Sequence, residues 1–569
     1  MRSHGRLRTS SMRNDWAIRK LQFGVLFRVF WMRVVDLELL SRDADPSRLA
    51  QQFGTIFVTI SIFFSLPVLL SGGRHLSLSG EWTGEHFFIE TTMTIAGLIT
   101  VLNWDSAFPD RRDVLVLAPL PVRPSTLLLA KISALFAAPA LAMIAFNIFI
   151  GLAWPLLFAS SNVGFFGALR AWPAYWFTII FGGLFFVFSV LAVQGIAANL
   201  LPRQLFLRVS ALLQAGTLCL LLSVYFLEPS LESPAALTAP QNQWLLAWLP
   251  SYWFLGLFHQ LNGSMHPALA PLVRRAWTGL AVSTLGAGSA LLLSYFRMLP
   301  KIIEQPDILP GARAFSWSPY VGNALKSALT LFSLRTLLRS RQHRMILSFY
   351  LGIGLAIVLG YSQTRFAGLV PVKNRISTTF LLASILIMIL TVLAIRIVAS
   401  IPISLPANWI FRITEVRPAR LYHRAVRFSW FALGVTPILF ILSGSFLAPY
   451  PWQQVLGHLV TMLFLGMLLV ELCLHTFQKI PFTCSYLPGK ANIHFAFWAC
   501  LLFFIRLLKE GANLESRMLG DRTSCIRMIL FLAAVAAGMR WFITARMSSA
   551  QELVFEEENP PVIVSLKLN

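Results

Sequence analysis

One acid–histidine pair inside an apolar stretch is spaced for joint chemistry. Glu471 and His475 stand four residues apart, which places both side chains on one face of a helix. A carboxylate beside an imidazole can relay a proton or supply two metal ligands, although a metal site needs further ligands. The simpler interpretation is a pair that hydrogen-bonds a neighbouring helix near the lipid headgroups. We therefore treat Glu471 and His475 as a candidate intramembrane polar pair and expect no catalytic residue, bound cofactor or metal site.

Ionisable side chains are otherwise sparse in the apolar stretches. Glu90 follows His86 by one turn near the start of another stretch, where the positive end of the helix dipole stabilises a carboxylate without any further function. The chain contains no G-x-x-x-x-G-K-[S/T] phosphate loop, no H-E-x-x-H and no G-x-S-x-G motif. We therefore expect a chain that is not an enzyme and that has no ATP-hydrolysing loop of its own.

Composition indicates an integral membrane protein. Of the 569 residues, 56% are hydrophobic and 12% are charged, and the mean hydropathy is +0.68. So little charge cannot cover the surface of a soluble protein of this length, which excludes a multi-domain soluble enzyme. The net charge of +23 is typical of basic cytoplasmic loops, and no nucleic-acid-binding motif accompanies it. We expect the lipid bilayer, and not nucleic acid, as the surroundings of this chain.

Runs of about 20 apolar residues, the length needed to cross a bilayer, recur along the chain. They predict an all-α protein with about twelve transmembrane helices. These runs lie near 52–71, 86–106, 126–157, 172–199, 206–227, 276–297, 345–361, 377–400, 427–447, 454–475, 491–508 and 525–545. The arginine-rich amino terminus predicts a cytoplasmic start, and the lack of a disulfide framework or extracellular domain favours the inner membrane of a bacterium. In the second half, counting the predicted crossings from the amino terminus places Arg365 and Arg517 outside the cell, although basic loops are usually cytoplasmic.

The chain also shows signs of duplication. Val122-Arg123-Pro124 recurs 294 residues later as Val416-Arg417-Pro418, and each triplet precedes an apolar run. This predicts two related six-helix halves, 1–300 and 301–569, the second with a cytoplasmic linker and a polar tail. Each half opens with a predicted interfacial helix. In the first, 26–42, one face carries Arg28, Arg33 and Asp36; in the second half, ahead of the seventh apolar run, Arg335, Arg339 and Gln342 repeat the pattern less sharply.

The loop after the second run, 103–132, is interrupted by prolines, so it must contain a short separate element at the inner surface. It resembles the cytoplasmic loop of type-2 ATP-binding-cassette exporter permeases, in which a charged turn precedes a short apolar helix, a break and a Leu-rich helix. The charged turn is matched by Asp110, Arg111, Arg112 and Asp113, the short helix by Val114 to Leu117, the break by Leu120-Pro121-Val122, and the basic residue of the next helix by Lys131. The second copy, 400–426, lacks the charged turn.

The resemblance implies a permease subunit whose loop and interfacial helix contact a separate ATP-binding-cassette ATPase. That partner would hydrolyse ATP and drive alternating access for an exported substrate, which the sequence does not identify. Three alternatives remain from the residues alone. The chain could be a membrane enzyme whose cytoplasmic arginines hold a lipid-linked phosphate, an ion-coupled secondary transporter, or a non-transporting scaffold. The near absence of acidic residues at mid-depth disfavours the secondary transporter.

Overall fold

The structure is a computed structural model, and its regular elements are helices throughout the part of the chain it describes, as the sequence predicts. The described residues are 19–34, 46–70, 78–104, 119–159, 164–228, 231, 233–304, 324–340, 343–354, 376, 378–403, 413, 420–447, 451–475, 480–483 and 507–547. The chain forms two compact units, Met1–Ala312 and Arg313–Asn569.

The first unit is a bundle of long helices with shorter ones at its edges. The helices are α1 (19–34), α2 (Pro46–Leu70), α3 (Leu78–Leu102), α4 (Pro124–Asn147), α5 (Ile150–Ala159), α6 (Gly164–Leu200), α7 (Arg203–Leu227), α8 (Pro250–Asn262) and α9 (Ala270–Glu304), with short turns of helix at Pro234–Thr238 and Gln243–Trp248. Several begin with proline, whose missing N–H costs nothing at a first helical position. Helix α6 packs against α3, α8 and α9, so it forms the centre of this unit.

The apolar run at 126–157 is divided between two helices. Helix α4 ends at Asn147 and α5 starts at Ile150. Ser61 of α2 accepts hydrogen bonds from the backbone N–H groups of Phe149 and Ile150, at 3.0 and 3.2 Å. A backbone break among apolar helices is tolerated when side chains satisfy the freed N–H groups. The sequence predicts a continuous apolar run at 126–157 and does not indicate this break.

The structure describes a smaller fraction of the second unit than of the first. The helices of the second unit are α10 (Ala324–Arg339), α11 (343–354), α12 (Thr378–Ala399), α13 (Arg420–Trp430), α14 (Thr436–Leu447), α15 (Trp452–Leu474), α16 (507–518) and α17 (Arg522–Met547). A single π-helical turn, Phe431–Val435, joins α13 to α14. The core of this unit lies between α12, α13 and α15, where Met388, Val426 and Met462 are almost completely buried.

Within the part of the chain that the structure describes, seven helices are long and apolar enough to cross a membrane, as expected of a multi-pass membrane protein. They are Ser125–Asn147, Leu169–Leu200, Pro267–Ser294, Phe380–Ala399, Leu421–Gly444, Trp452–Leu474 and Arg522–Ala545. Two shorter apolar helices, Gly54–Leu66 and Leu212–Phe226, coincide with further predicted runs. The predicted run 86–106 is helical as α3, but α3 is not among the seven, and its first half contains three glutamates. Most of the predicted run 491–508, residues 491–506, lies outside the described residues, and 345–361 is described only in part.

Candidate functional site

In the first unit, the predicted interfacial helix packs against the segment that follows the charged turn and short helix, 110–117, of the loop predicted to contact the ATPase. Leu26 and Phe30 of α1 are buried with Ala130 and Ala134 of α4; we call this contact the α1–α4 junction. Helix α1 can lie there because its apolar residues recur every three or four positions. The Gln22 side chain donates a hydrogen bond of 3.2 Å to the carbonyl of Pro121. The break segment 119–123 therefore contacts the same helix as the start of α4.

Charged side chains border this junction. The ammonium of Lys131 is 5.6 Å from the centre of the Phe30 ring, and the guanidinium carbon of Arg33 is 5.8 Å from it. Both distances suit cation–π attraction. Lys131 is itself buried, with 9% of its surface exposed, whereas Arg28 and Arg33 are exposed. One face of α1 thus packs on α4, and Arg28 and Arg33 remain exposed to its side.

The charged turn, the short helix and Pro121 are the loop residues predicted to couple to the ATPase. Of these, Pro121 is described, and it is exposed. Asp36 of the interfacial helix lies outside the described residues. The same is true of the other loop residues, Asp110, Arg111, Arg112, Asp113, Val114 and Leu117.

The second unit contains a comparable junction. Leu329 and Leu337 of α10 belong to the same core as Tyr422 and Ala425 of α13, and the two helices pack together. The Lys326 ammonium is 5.8 Å from the ring centre of Phe428. An amphipathic helix therefore packs, in each unit, on the first turns of the helix that follows a Val-Arg-Pro triplet.

The predicted pair Glu471 and His475 lies at the end of α15. Oε1 of Glu471 is 2.6 Å from Nε of Arg427 in α13, and the two side chains are 5% and 15% exposed. His475 is the C-terminal cap of α15, where its N–H donates to the carbonyls of Glu471 and Leu472. Arg427 was missed by the sequence analysis. Its signal was the spacing Arg420, Arg424, Arg427, which places three arginines on one face of a helix.

A group of histidines and glutamates lies beside the first half of α3. Nε2 of His86 is 3.3 Å from Oε1 of Glu228, which directly follows α7, and Nε2 of His259 in α8 is 2.8 Å from Oε2 of Glu85. All four side chains are at most 5% exposed. Burial opposes the charge of Glu228, but hydrogen bonds, chiefly from His86, outweigh it, so the pKa of this carboxyl lies below its ordinary value. The sequence analysis paired His86 with Glu90 only.

A second buried line of polar groups crosses the second unit. The Ser384 hydroxyl of α12 is 2.9 Å from Nε2 of His458 in α15, and Nδ1 of His458 is 2.7 Å from Oε1 of Glu515 in α16. This is the order of groups in a serine–histidine–carboxylate triad. The hydroxyl also lies within hydrogen-bond distance of two carbonyls of its own helix, and Ser384 is 1% exposed. The three residues come from distant positions without a motif, so no sequence signal links them.

The comparisons with family models, with curated proteins and with solved structures found no match to this chain.

Proposed function

We propose that this chain is the membrane permease subunit of an ATP-driven exporter, powered by a separate ATP-binding-cassette ATPase. The observation that carries the proposal is the α1–α4 junction. The two elements that the resemblance assigns to the ATPase, an amphipathic helix and the loop ahead of the third membrane helix, lie in contact through Gln22 and Pro121. A force applied to either element would therefore reach the start of α4.

The second junction supports a duplicated chain. In this proposal the first and second units are six-helix halves, about twelve membrane helices in total, with the amino terminus in the cytoplasm of a bacterial cell. Both Val-Arg-Pro triplets would then lie on the cytoplasmic side, together with the α10–α13 contact. Lys326 in the second junction stands over an aromatic ring, as Lys131 does in the first, although it comes from the docked helix.

The packing suggests how movement would be transmitted. Helix α4 is in contact with α2 and α3 along its length, and a buried hydrogen-bond chain ties it to two neighbours. Nδ2 of Asn147 donates to Thr92 of α3 at 3.0 Å, and the Tyr175 hydroxyl of α6 donates to Oδ1 of Asn147 at 2.7 Å. Polar contacts between apolar helices help to hold the helices together. A push at 119–123 would thus be passed from α4 to α3 and α6.

The direct test is recovery of the ATPase subunit with the detergent-solubilised chain from native membranes. We expect an ATPase to co-purify with the wild type and to be lost when Arg111 and Arg112 are both changed to glutamate. A matched control reverses Arg517 and Arg522, which are both exposed; Arg517 lies in the last turn of α16, and Arg522 is the first residue of α17. Retention of the ATPase by the Arg111/Arg112 variant, or its absence from the wild type, would contradict the proposal.

One observation favours a second candidate, a membrane enzyme, namely the Ser384–His458–Glu515 line. Its geometry suits activation of a serine for attack on an ester, including that of a lipid. Its burial, and the two carbonyls of α12 close to the hydroxyl, suit a helix contact better. Ester hydrolysis by the purified chain, with fluorophosphonate labelling that Ser384→Ala removes, would establish the enzyme. We expect neither.

A further inference from the structure

Three possible metal ligands converge beside the first half of α3. His86 and Glu90 lie one turn apart on this helix, and Glu228 lies beside them from the chain that follows α7. One ring nitrogen of His86 and one carboxylate oxygen from each glutamate all lie within 4.8 Å of one another. The donors therefore come from two separate elements, which the fold brings together.

The charges at this place favour a cation. Two carboxylates and one neutral imidazole carry two formal negative charges, and a buried carboxylate is costly unless it is compensated. Glu228 and the neighbouring Glu85 each have a histidine ring nitrogen within hydrogen-bonding distance, from His86 and His259 respectively. The sequence has no lysine or arginine between 209 and 273, the stretch that supplies Glu228 and α8. One divalent cation would balance the charge of the three groups.

The distances and donor types indicate which cation. Bonds of about 2.0–2.1 Å to nitrogen and oxygen in a tetrahedron separate neighbouring ligand atoms by roughly 3.3 Å. Nε2 of His86 is 3.3 Å from Oε1 of Glu228. A mixed imidazole and carboxylate set suits zinc and similar transition metals, whereas magnesium and calcium prefer oxygen alone.

Neighbouring side chains hold the ligands in place. The ring of Tyr252 in α8 stacks on the imidazole of His86, with centroids 4.0 Å apart and planes 18° apart. The Tyr252 hydroxyl accepts a hydrogen bond of 2.9 Å from the N–H of Leu231, and the Ser251 hydroxyl donates to Glu228. Supporting contacts of this kind orient metal ligands and raise affinity.

We propose that His86, Glu90 and Glu228 bind one divalent transition-metal ion of the zinc class. The ion links α3 to the chain after α7, and it leaves a coordination position for water or a ligand. This site does not depend on the chain being a permease.

The test uses the full-length chain in detergent, purified without a histidine tag and treated with a chelator, and the probes are Zn²⁺ and Co²⁺ ions. We expect one equivalent of Zn²⁺ to bind, and bound Co²⁺ to give the visible spectrum of a four- or five-coordinate site with nitrogen and oxygen donors. His86→Gln and Glu228→Gln should each weaken zinc binding about 100-fold or more, since even supporting residues are worth 10–100-fold.

The control is His259→Gln, which removes the adjacent buried histidine–glutamate pair but no proposed ligand. It should bind zinc within a few-fold of the wild type. The Co²⁺ spectrum of the wild type does not rely on any variant folding. Absence of zinc binding by the wild type, a cobalt spectrum with cysteine thiolate bands, or equal loss in the His86 and His259 variants would each overturn the proposal.

Discussion

Arg427 and Glu471 form a buried ion pair between α13 and α15, with 2.6 Å between Nε and Oε1. Removing one partner leaves the other charge uncompensated, so we expect Glu471→Leu to lower the free energy of unfolding by about 3 kcal/mol. The double variant Arg427→Met/Glu471→Leu should recover much of that loss. Thermal unfolding of the four proteins in one detergent forms the double-mutant cycle. Additive effects of the two single changes would show that the pair contributes no coupling.

The α1–α4 junction depends on Phe30, which is 3% exposed. Phe30→Ala removes its ring from the contact at a cost of about 3 kcal/mol, enough to release α1 locally. The measurement is maleimide labelling of Ala130→Cys in a chain without the native cysteines, because Ala130 is 0% exposed beneath α1. We expect faster labelling when Phe30 is replaced. Leu21→Ala, at a position 71% exposed on the same helix, should leave the rate unchanged.

Close helix packing beside the π turn requires the absence of a side chain at Gly466. A Cβ there would be 2.6 Å from Cγ1 of Val435, which is fully buried, so Gly466→Ala should destabilise the protein by about 1–3 kcal/mol. Gly444 is the matched control, because it is also helical and a Cβ there meets no atom within 4 Å. Gly444→Ala should be neutral or stabilising by up to about 1 kcal/mol. An equal decrease in melting temperature for the two variants would be inconsistent with this packing.

His343 connects the start of α11 to the end of α12. Its Nε2 is 2.9 Å from the carbonyl of Ile401, which requires Nε2 to carry the proton, and Nδ1 is hydrogen-bonded to the Ser340 hydroxyl. Burial lowers the pKa of this histidine, and the bond to Ile401 offsets the effect only in part. Because the folded form binds its proton less readily than the unfolded chain, stability is lost as the pH falls below the ordinary value of 6.5.

We therefore expect the melting temperature of the wild type to fall between about pH 7.5 and about pH 5.5, and the fall to be smaller for His343→Gln. The measured quantity is the change in melting temperature of each protein between the two pH values, so a lower stability of the variant at the higher pH does not affect the result. An identical fall in both proteins would assign the pH dependence to other groups.

The Ser384–His458–Glu515 line should behave as a helix contact. Ser384→Ala removes one hydrogen bond and should cost about 1 kcal/mol, whereas Glu515→Leu leaves the buried His458 without its carboxylate and should cost about 2–3 kcal/mol. Glu515→Gln keeps an acceptor and should fall between them. Chemical or thermal unfolding measures all three. A larger loss for Ser384→Ala than for Glu515→Leu would contradict this order.

The sequence was sufficient for features that depend on local pattern. The apolar runs predicted helices that the structure contains, such as α6 and α12, because the length and hydropathy of a membrane helix are written in consecutive residues. The amphipathic spacing around Arg28 and Arg33 similarly predicted α1, described here as 19–34. The relation between the halves and the role of the loop at 110–117 stay predictions.

Only the tertiary structure decided which polar groups meet. His86 lies 142 residues from Glu228, and Ser384, His458 and Glu515 come from three helices, so no spacing along the chain connects them. Helical periodicity relates Glu471 to His475, four residues on, but it does not indicate that the carboxylate of Glu471 also pairs with Arg427 of another helix. Buried charges are compensated by whatever group the packing brings within a few ångströms, and packing is a property of the whole bundle.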